Sequence, residues 1–262
     1  MNKRGGQYKP TAYDSVVISP TTTELLRALE EYQDSWEAKG VPSPSMVEQC
    51  MRRSWFVGTG FPRSERVTAA GILAMEQGKA EEEMVSSLLA RSGWKIVGKQ
   101  VPINAEAVGC TEGTVDLILE DDYDNRYVGE IKRLGLFRYL RLVERGLKKA
   151  HPEYYTQLQL YMAGMGLTRA LLVAIPADYS ALTYYWNRSR HPEHLKPPPI
   201  WSEMVSEDRL WLDSRIERAK QIDYHVKVHK HPRDVPRDFD PDNDRWPCDW
   251  CNYKAACIEV GP

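Results

Sequence analysis

The 262-residue sequence contains no apolar run long enough to cross a bilayer, and Met1-Asn2-Lys3-Arg4-Gly5-Gly6 leads into no hydrophobic signal region. A soluble, cytoplasmic protein without membrane partners is the expectation. Neither charge sign is in excess: 35 Lys and Arg stand against 37 Asp and Glu, so whole-molecule electrostatics do not announce a nucleic-acid binder. No internal repeat and no low-complexity tract is present, which sets aside solenoids and fibrous chains. Cysteine is scarce and odd in number, five residues (Cys50, Cys110, Cys248, Cys251 and Cys257), which argues against a disulfide framework. What remains is ordinary globular material: 42% hydrophobic residues, enough for a sizeable core in one large domain or two small ones.

The most informative segment is Glu130-Ile131-Lys132, with Asp116 upstream in Glu112-Gly113-Thr114-Val115-Asp116. Val115–Leu119 is an apolar run interrupted by one acid, and Arg126–Lys132 reads as a second strand. Asp121-Asp122-Tyr123-Asp124-Asn125 between them has the polar chemistry of a hairpin turn. Alternation along a strand puts Glu130 and Lys132 on one face and Ile131 on the other. A carboxylate in such apolar surroundings needs a partner, and a metal ion flanked by a lysine would supply one. Taken alone, Glu-x-Lys is more often a solvated cross-strand pair. The case for chemistry rests on its neighbours.

Residues 1–20 show no periodicity and read as a mobile segment. Glu24 to Ala38 has an amphipathic helical pattern closed by Gly40, and Ser43-Pro44-Ser45 reads as the cap of a helix holding Cys50 and Trp55. A further helix spans about Ser64 to Arg91, with Gly93 as its breaker. Strand-like segments follow at Trp94–Ile103, Ala107–Leu119 and Arg126–Lys132, then a helix over His151–Gly164. Two more strands are expected at Arg169–Ile175 and Ala181–Asn187, a loop at Pro197-Pro198-Pro199, and a helix over Ser202–Tyr224. Trp94, Trp186 and Trp211 read as core residues. The order predicts a mixed α/β core with one central sheet.

In Gly78-Lys79-Ala80-Glu81-Glu82-Glu83, helical spacing places Glu81 and Glu82 beside an inward stripe of Val85, Leu88 and Leu89, and Glu83 away from it. Gln157 and Tyr161 stack four apart on a helix face that Gln159 does not share. From Lys132 to Lys149 seven basic residues (Lys132, Arg133, Arg138, Arg141, Arg145, Lys148 and Lys149) face one acid, Glu144, with Phe137 and Tyr139 interleaved. Such a stretch suits phosphate contacts and base stacking, or else a solvated helix face. Cys248-x2-Cys251-x5-Cys257 lets one loop wrap its thiolates around a metal centre. Cys50, Cys110 or a histidine would complete it, and Cys110 reads as an inert core thiol. An iron–sulfur cluster tolerates split ligation through Cys50, and zinc is the runner-up. His225, His229 and His231 lie among lysines and read as a solvated helix end.

In order, Ser-Pro-Ser-x4-Cys50, Gly78-x-x-Glu81-Glu82, Gly113-x-x-Asp116, Glu130-x-Lys132, Gln157-x3-Tyr161 and the terminal cysteines resemble the PD-(D/E)XK nuclease superfamily. The similarity is to its RecB-like branch with a four-cysteine iron–sulfur cluster, which includes CRISPR-associated adaptation nucleases, AddB-type subunits and phage exonucleases. Many relatives have histidine and then glutamate where Glu81 and Glu82 stand, so both are candidates, and Val115 replaces the signature proline. The resemblance implies a restriction-endonuclease-like mixed α/β fold with a central mixed sheet flanked by helices. Residues 1–42 would be an N-terminal extension with one helix and 43–262 a single nuclease domain, with 43–60 and 240–262 forming an iron–sulfur subdomain from both chain ends. It implies Mg²⁺ or Mn²⁺ on Asp116, Glu130, Glu81 or Glu82 and the Ile131 carbonyl, catalysis by Lys132 with Gln157 and Tyr161, and a [4Fe-4S] cluster on Cys50, Cys248, Cys251 and Cys257. The implied activity is metal-dependent DNA exonuclease action on single strands or duplex ends in recombination, repair or DNA degradation. Arg133, Arg138, Arg141, Arg145, Lys148 and Lys149 would bind the DNA. A CRISPR adaptation nuclease working with integration proteins, or a catalytically silent DNA-binding scaffold, are the alternatives.

Overall fold

The structure, a computed structural model, describes residues 20–34, 40–64, 67–188 and 197–261. Residues 1–19 of the segment expected to be mobile lie outside the described residues, as does the end of the first expected helix. The elements are α1 (Pro20–Asp34), α2 (Met51–Gly58), α3 (Ala69–Arg91), β1 (Lys95–Pro102), β2 (Thr114–Glu120), β3 (Arg126–Leu134), α4 (Leu136–Arg145), α5 (Leu147–Ala150), α6 (Pro152–Met165), β4 (Arg169–Pro176), α7 (Tyr179–Arg188), β5 (Trp201–Ser206), α8 (Arg209–Val228), α9 (Arg245–Cys248) and α10 (Lys254–Val260).

One five-stranded mixed sheet has the order β1-β2-β3-β4-β5. β1, β2 and β3 form an antiparallel meander, β4 runs parallel to β3, and β5 is antiparallel to β4. The β2–β3 turn is made by Asp121, whose Oδ1 accepts from the amides of Tyr123 (2.9 Å) and Asn125 (3.0 Å). Asp124 takes the left-handed backbone that short polar residues tolerate. A parallel β3–β4 pair needs a long crossover, which α4, α5 and α6 provide.

The sheet is covered on both faces. Val85 and Leu89 of α3 pack on Leu117, Leu119, Ile131, Leu171 and Val173. Tyr139 and Leu142 of α4 with Leu158 and Met162 of α6 pack on Ile118, Val128, Leu172 and Ala174. Because both faces are buried, β4 (Arg-Ala-Leu-Leu-Val-Ala-Ile-Pro) is apolar almost throughout. α2 and the C-terminal segment meet in a separate cluster: Met51, Trp55 and Phe56 of α2 pack with Ile222, Val235 and Tyr253, and Phe56 stacks on Tyr253 at 5.2 Å. Buried Arg52 fastens this junction by donating to the carbonyls of Val235 (2.9 Å) and Gly261 (2.6 Å).

Several expected boundaries change. Ala181–Asn187 is not a strand but lies in α7, because the Asp178 side chain accepts from the Ala181 amide (2.9 Å) and caps a helix there. The fifth strand is instead Trp201–Ser206, taken from the start of the expected Ser202–Tyr224 helix, and α8 begins only after Asp208, whose side chain accepts from the Trp211 amide. β2 starts at Thr114, since Glu106–Val108 makes a 3-10 turn and Gly109 adopts a left-handed backbone. α3 starts at Ala69 behind a Thr68 cap, later than Ser64; residues 65 and 66 lie outside the described residues. Leu88, expected inside, is exposed, and Cys50 caps α2 from outside the helix. Trp94 and Trp211 pack at the core edges as expected, while the side chain of Trp186 lies outside the description.

Gly129 shows how tightly the meander is packed. A Cβ there would sit 3.0 Å from Leu117 Cβ and 3.0 Å from Leu119 Cδ1. Gly129→Val is expected to cost about 1–3 kcal/mol through overpacking, read as a lower urea midpoint at unchanged slope.

Candidate active site

β3 carries the centre of the site. Val128 and Leu134 belong to the cluster under α4 and α6, so Glu130 and Lys132, in phase with them, point to that layer. Ile131 points to α3. Glu130 is buried, 2% exposed, and is ion-paired with Lys132 Nζ through Oε1. Its second oxygen, Oε2, is buried without a hydrogen-bond partner among the described residues. Asp116 sits where β2 reverses its alternation: Val115 joins the α6-side cluster and Leu117 the α3-side cluster. The reversal turns the Asp116 carboxylate to the backbone of β3, where Oδ2 accepts from the Ile131 amide at 3.0 Å.

The two candidate glutamates on α3 diverge. Glu81 pairs with Arg133 Nε at 2.9 Å. Glu82 lines a cavity of about 160 Å³ between α3 and the sheet, together with Lys79, Ser86, Asp116 and Ile131. Glu83, expected to point away, is largely exposed but turns toward β1, where it pairs with Lys99 and both side chains line the mouth of the same cavity.

Burial raises the Glu130 carboxyl to about 7; the Lys132 ammonium opposes this, and the charges of Asp116 and Glu82 add to it. Burial works to lower Lys132, but Glu130, through its charge and hydrogen bond, and Asp116 overcome it and push the ammonium upward. Gln157 Nε2 donates to Tyr161 Oη at 2.9 Å inside the core, as their spacing predicted. The Tyr161 hydroxyl is raised chiefly by burial and next by the Glu130 charge. Gln159 points elsewhere and donates to the Ser206 carbonyl. Glu82, Asp116, Glu130, Lys132, Gln157 and Tyr161 thus form one electrostatically connected group, and Glu81 lies at its margin.

Tyr154 was missed in the sequence. Lys132 Nζ lies 5.0 Å from its ring centroid and the Arg138 guanidinium 5.1 Å. A signal was present: Tyr154, Gln157 and Tyr161 follow the i, i+3, i+7 spacing of one helix face.

The basic stretch divides. Arg133 is held by Glu81, Gln77 and the Ala177 carbonyl. Arg138 pairs with Glu153, and Lys148 with Asp208 at 2.6 Å. Arg141, Arg145 and Lys149 are exposed and make no ion pair among the described residues. Tyr139, read as interleaved for stacking, is instead wholly buried and donates to the Pro198 carbonyl, because position 139 falls on the inner side of α4.

Cys50, Cys248, Cys251 and Cys257 line one cavity of about 510 Å³ with Arg53, Tyr154, Arg138 and Phe239. Burial raises the Cys248 thiol to about 11, and Cys50, Cys251 and Cys257 push it the same way. Cys110 is buried elsewhere and raised to about 12 by burial, as befits an inert thiol. His225 and His229 stack at 4.9 Å near the end of α8. Among the described residues no group of three or more His, Cys, Asp or Glu side chains is arranged to hold a metal ion. By donor chemistry the carboxylates nevertheless suit a hard cation: Glu130 keeps a buried oxygen without a hydrogen-bond partner, and the charges of Asp116 and Glu82 act on it. The four thiols suit a thiophilic centre. No helix among the described residues is long and apolar enough to cross a membrane.

No family model matches the chain, and no curated protein matches it in sequence. Solved structures do match in fold. The alkaline exonuclease LHK-Exo of Laribacter hongkongensis superposes with a TM-score of 0.51 at 14% identity, over 76% of this chain and 93% of that one. Its complex with dAMP gives 0.50 at 16% identity over the same shares. The crystal structure of SSO0001 gives 0.50 at 18% identity, over 92% of this chain and 98% of that one.

The raised Glu130 carboxyl has a consequence for stability. The folded state binds this proton more tightly than the unfolded chain, whose carboxyl titrates near 4.5. Metal-free protein is therefore expected to lose stability as pH rises from about 4.5 through about 7, and Glu130→Gln to flatten that loss. Thermal melting in chelator across this range checks it, and parallel curves for the two proteins would refute the assignment. The chain shares its mixed α/β fold, a five-stranded sheet flanked by helices, with the alkaline exonuclease.

Proposed function

We propose that this chain is a divalent-metal-dependent deoxyribonuclease, an exonuclease hydrolysing phosphodiester bonds of single-stranded DNA or duplex ends in recombination, repair or DNA degradation. The observation that carries the reading is the Glu130–Lys132 pair on the central strand, its carboxylate buried with one oxygen orphaned and its ammonium half-buried, with Asp116 and Glu82 acting on the same charge. Perturbed titratable groups gathered this way are a mark of catalytic sites. The fold shared with the alkaline exonuclease, one of whose structures holds dAMP, supports the same class.

Asp116, Glu130 and Glu82 would hold Mg²⁺ or Mn²⁺, with Ile131 supplying a backbone carbonyl and Glu81 at the margin. Bound there, such a cation neutralises phosphodiester charge and lowers the pKa of water. Lys132, kept protonated by Glu130 and Asp116, provides a fixed positive charge for the scissile phosphate and the attacking water. Gln157 and Tyr161 pack behind it and hold the polar wall in place. Arg141, Arg145 and Lys149 are free to meet the DNA backbone, whereas Arg133, Arg138 and Lys148 reach it only by exchanging present partners.

The four cysteines are proposed to hold a structural [4Fe-4S] cluster, with zinc as the other thiophilic option. The single cavity they share, at the junction of residues 43–60 and 240–262, supports this. Purified protein is expected to be brown and to contain iron and sulfide rather than zinc. Removing the metal is expected to lower the melting temperature and the nuclease rate together, because the junction ties α2 to the C-terminal segment. Loss of rate at unchanged melting would count against the structural role.

The catalytic reading is tested with end-labelled single- and double-stranded DNA in Mg²⁺ or Mn²⁺. Lys132→Ala is expected to slow cleavage by about 10²–10³-fold. Equal rates for variant and wild type would remove Lys132 from the mechanism.

A further inference from the structure

The outer face of α4 is neither buried nor neutralised. Phe137 is 73% exposed, although a ring of this size is normally covered. It meets Tyr185 of α7 edge to face, at 6.2 Å between centroids and 86° between planes, and Tyr185 is itself 43% exposed. Arg141 and Arg145 follow Phe137 at four-residue spacing, so they continue the same side of the helix. Neither is ion-paired among the described residues, and Glu144 is the only acid of α4. At the edge of this face Arg138 lies over the ring of Tyr154, which also carries Lys132. β3 ends at Leu134 and α4 begins at Leu136, so Phe137 stands on the first turn of the helix that directly follows the strand carrying Glu130 and Lys132.

We infer that Phe137 and Tyr185, with Arg141 beside them, form a stacking platform for the unpaired bases of a single DNA strand on its way to Lys132. This deepens the nuclease reading above and rests on it. An aromatic face accepts any base, and a guanidinium accepts the phosphate beside it. Bases inside a duplex have both faces already stacked and offer nothing to Phe137. The platform therefore selects single-stranded DNA, whereas the arginines alone attract either form. Charge complementarity between two unpaired guanidinium groups and a polyanion favours this occupant over another protein.

The test is fluorescence anisotropy in EDTA, with the full chain titrated into labelled oligo(dT) and into a blunt duplex of equal length. Phe137→Ala is expected to weaken oligo(dT) binding roughly tenfold and duplex binding by less than about twofold. Phe137→Tyr, which keeps the ring, is expected to retain wild-type affinity. Arg141→Ala is expected to weaken both forms and to reduce the single-strand salt slope by about 0.7. Phe137→Ala with unchanged oligo(dT) affinity, the outcome for a patch that docks protein, overturns the proposal, as does equal weakening of both forms. Melting curves confirm that the exposed-site variants are folded. The cleavage assay on Lys132→Ala separates the two readings. Selective oligo(dT) binding in a chain whose cleavage ignores Lys132 leaves the platform standing without the catalytic assignment. Lys132-dependent cleavage with no Phe137 effect does the reverse.

Discussion

Much of the molecule is arranged around a buried carboxylate and the half-buried ammonium paired with it. Glu130 and Lys132 lie on the central strand of a sheet covered on both faces, so each is desolvated and each answers the other. A buried ion pair of this kind adds little stability compared with apolar side chains of similar volume, because removing two charges from water offsets their attraction. Breaking it, by contrast, strands a charge in the core. The surroundings are consistent with a pair kept for chemistry: Asp116 and Glu82 add negative charge to a place that already penalises it, and Gln157 and Tyr161 supply polar packing rather than neutralisation.

Tyr154 links this centre to the far end of the chain. Its ring carries Lys132 and Arg138, and its side chain also forms part of the wall of the cavity lined by the four cysteines. Arg138 is held in turn by Glu153. β3, the crossover helices and the cluster that α2 forms with the C-terminal segment are therefore contiguous through packed side chains.

Legibility in the sequence followed the range of the forces involved. The β2–β3 hairpin was readable because a polar turn between two apolar runs is a local signal, and Asp121 makes that turn with its own side chain. The Gln157–Tyr161 pair was readable because helical spacing alone sets it. The exchange of strand and helix after β4 was not, because Ala-Leu-Thr-Tyr-Tyr-Trp-Asn has the β-branched and aromatic composition of a strand. Aromatic preference for strands is a preference for packing surfaces, and here the Asp178 cap prevails. Trp201–Ser206 was not readable as a strand either, because its apolar residues Trp201, Met204 and Val205 fall at helical spacing and merge with the pattern of α8.

The sequence by itself determined which groups are available: a Glu-x-Lys strand, an acid on its hairpin partner, paired glutamates on one helix, four cysteines near the two ends and a basic stretch between. Local chemistry and periodicity were enough to order them along the chain. Only the tertiary structure decided between them, because pairing depends on what lies across the sheet or the core. It gave Glu81 to Arg133 and left Glu82 with Asp116, sank Tyr139 while leaving Phe137 on the surface, and brought Tyr154 over Lys132. Burial and partner choice are properties of surfaces brought together from distant parts of the chain, and no short stretch of sequence encodes them.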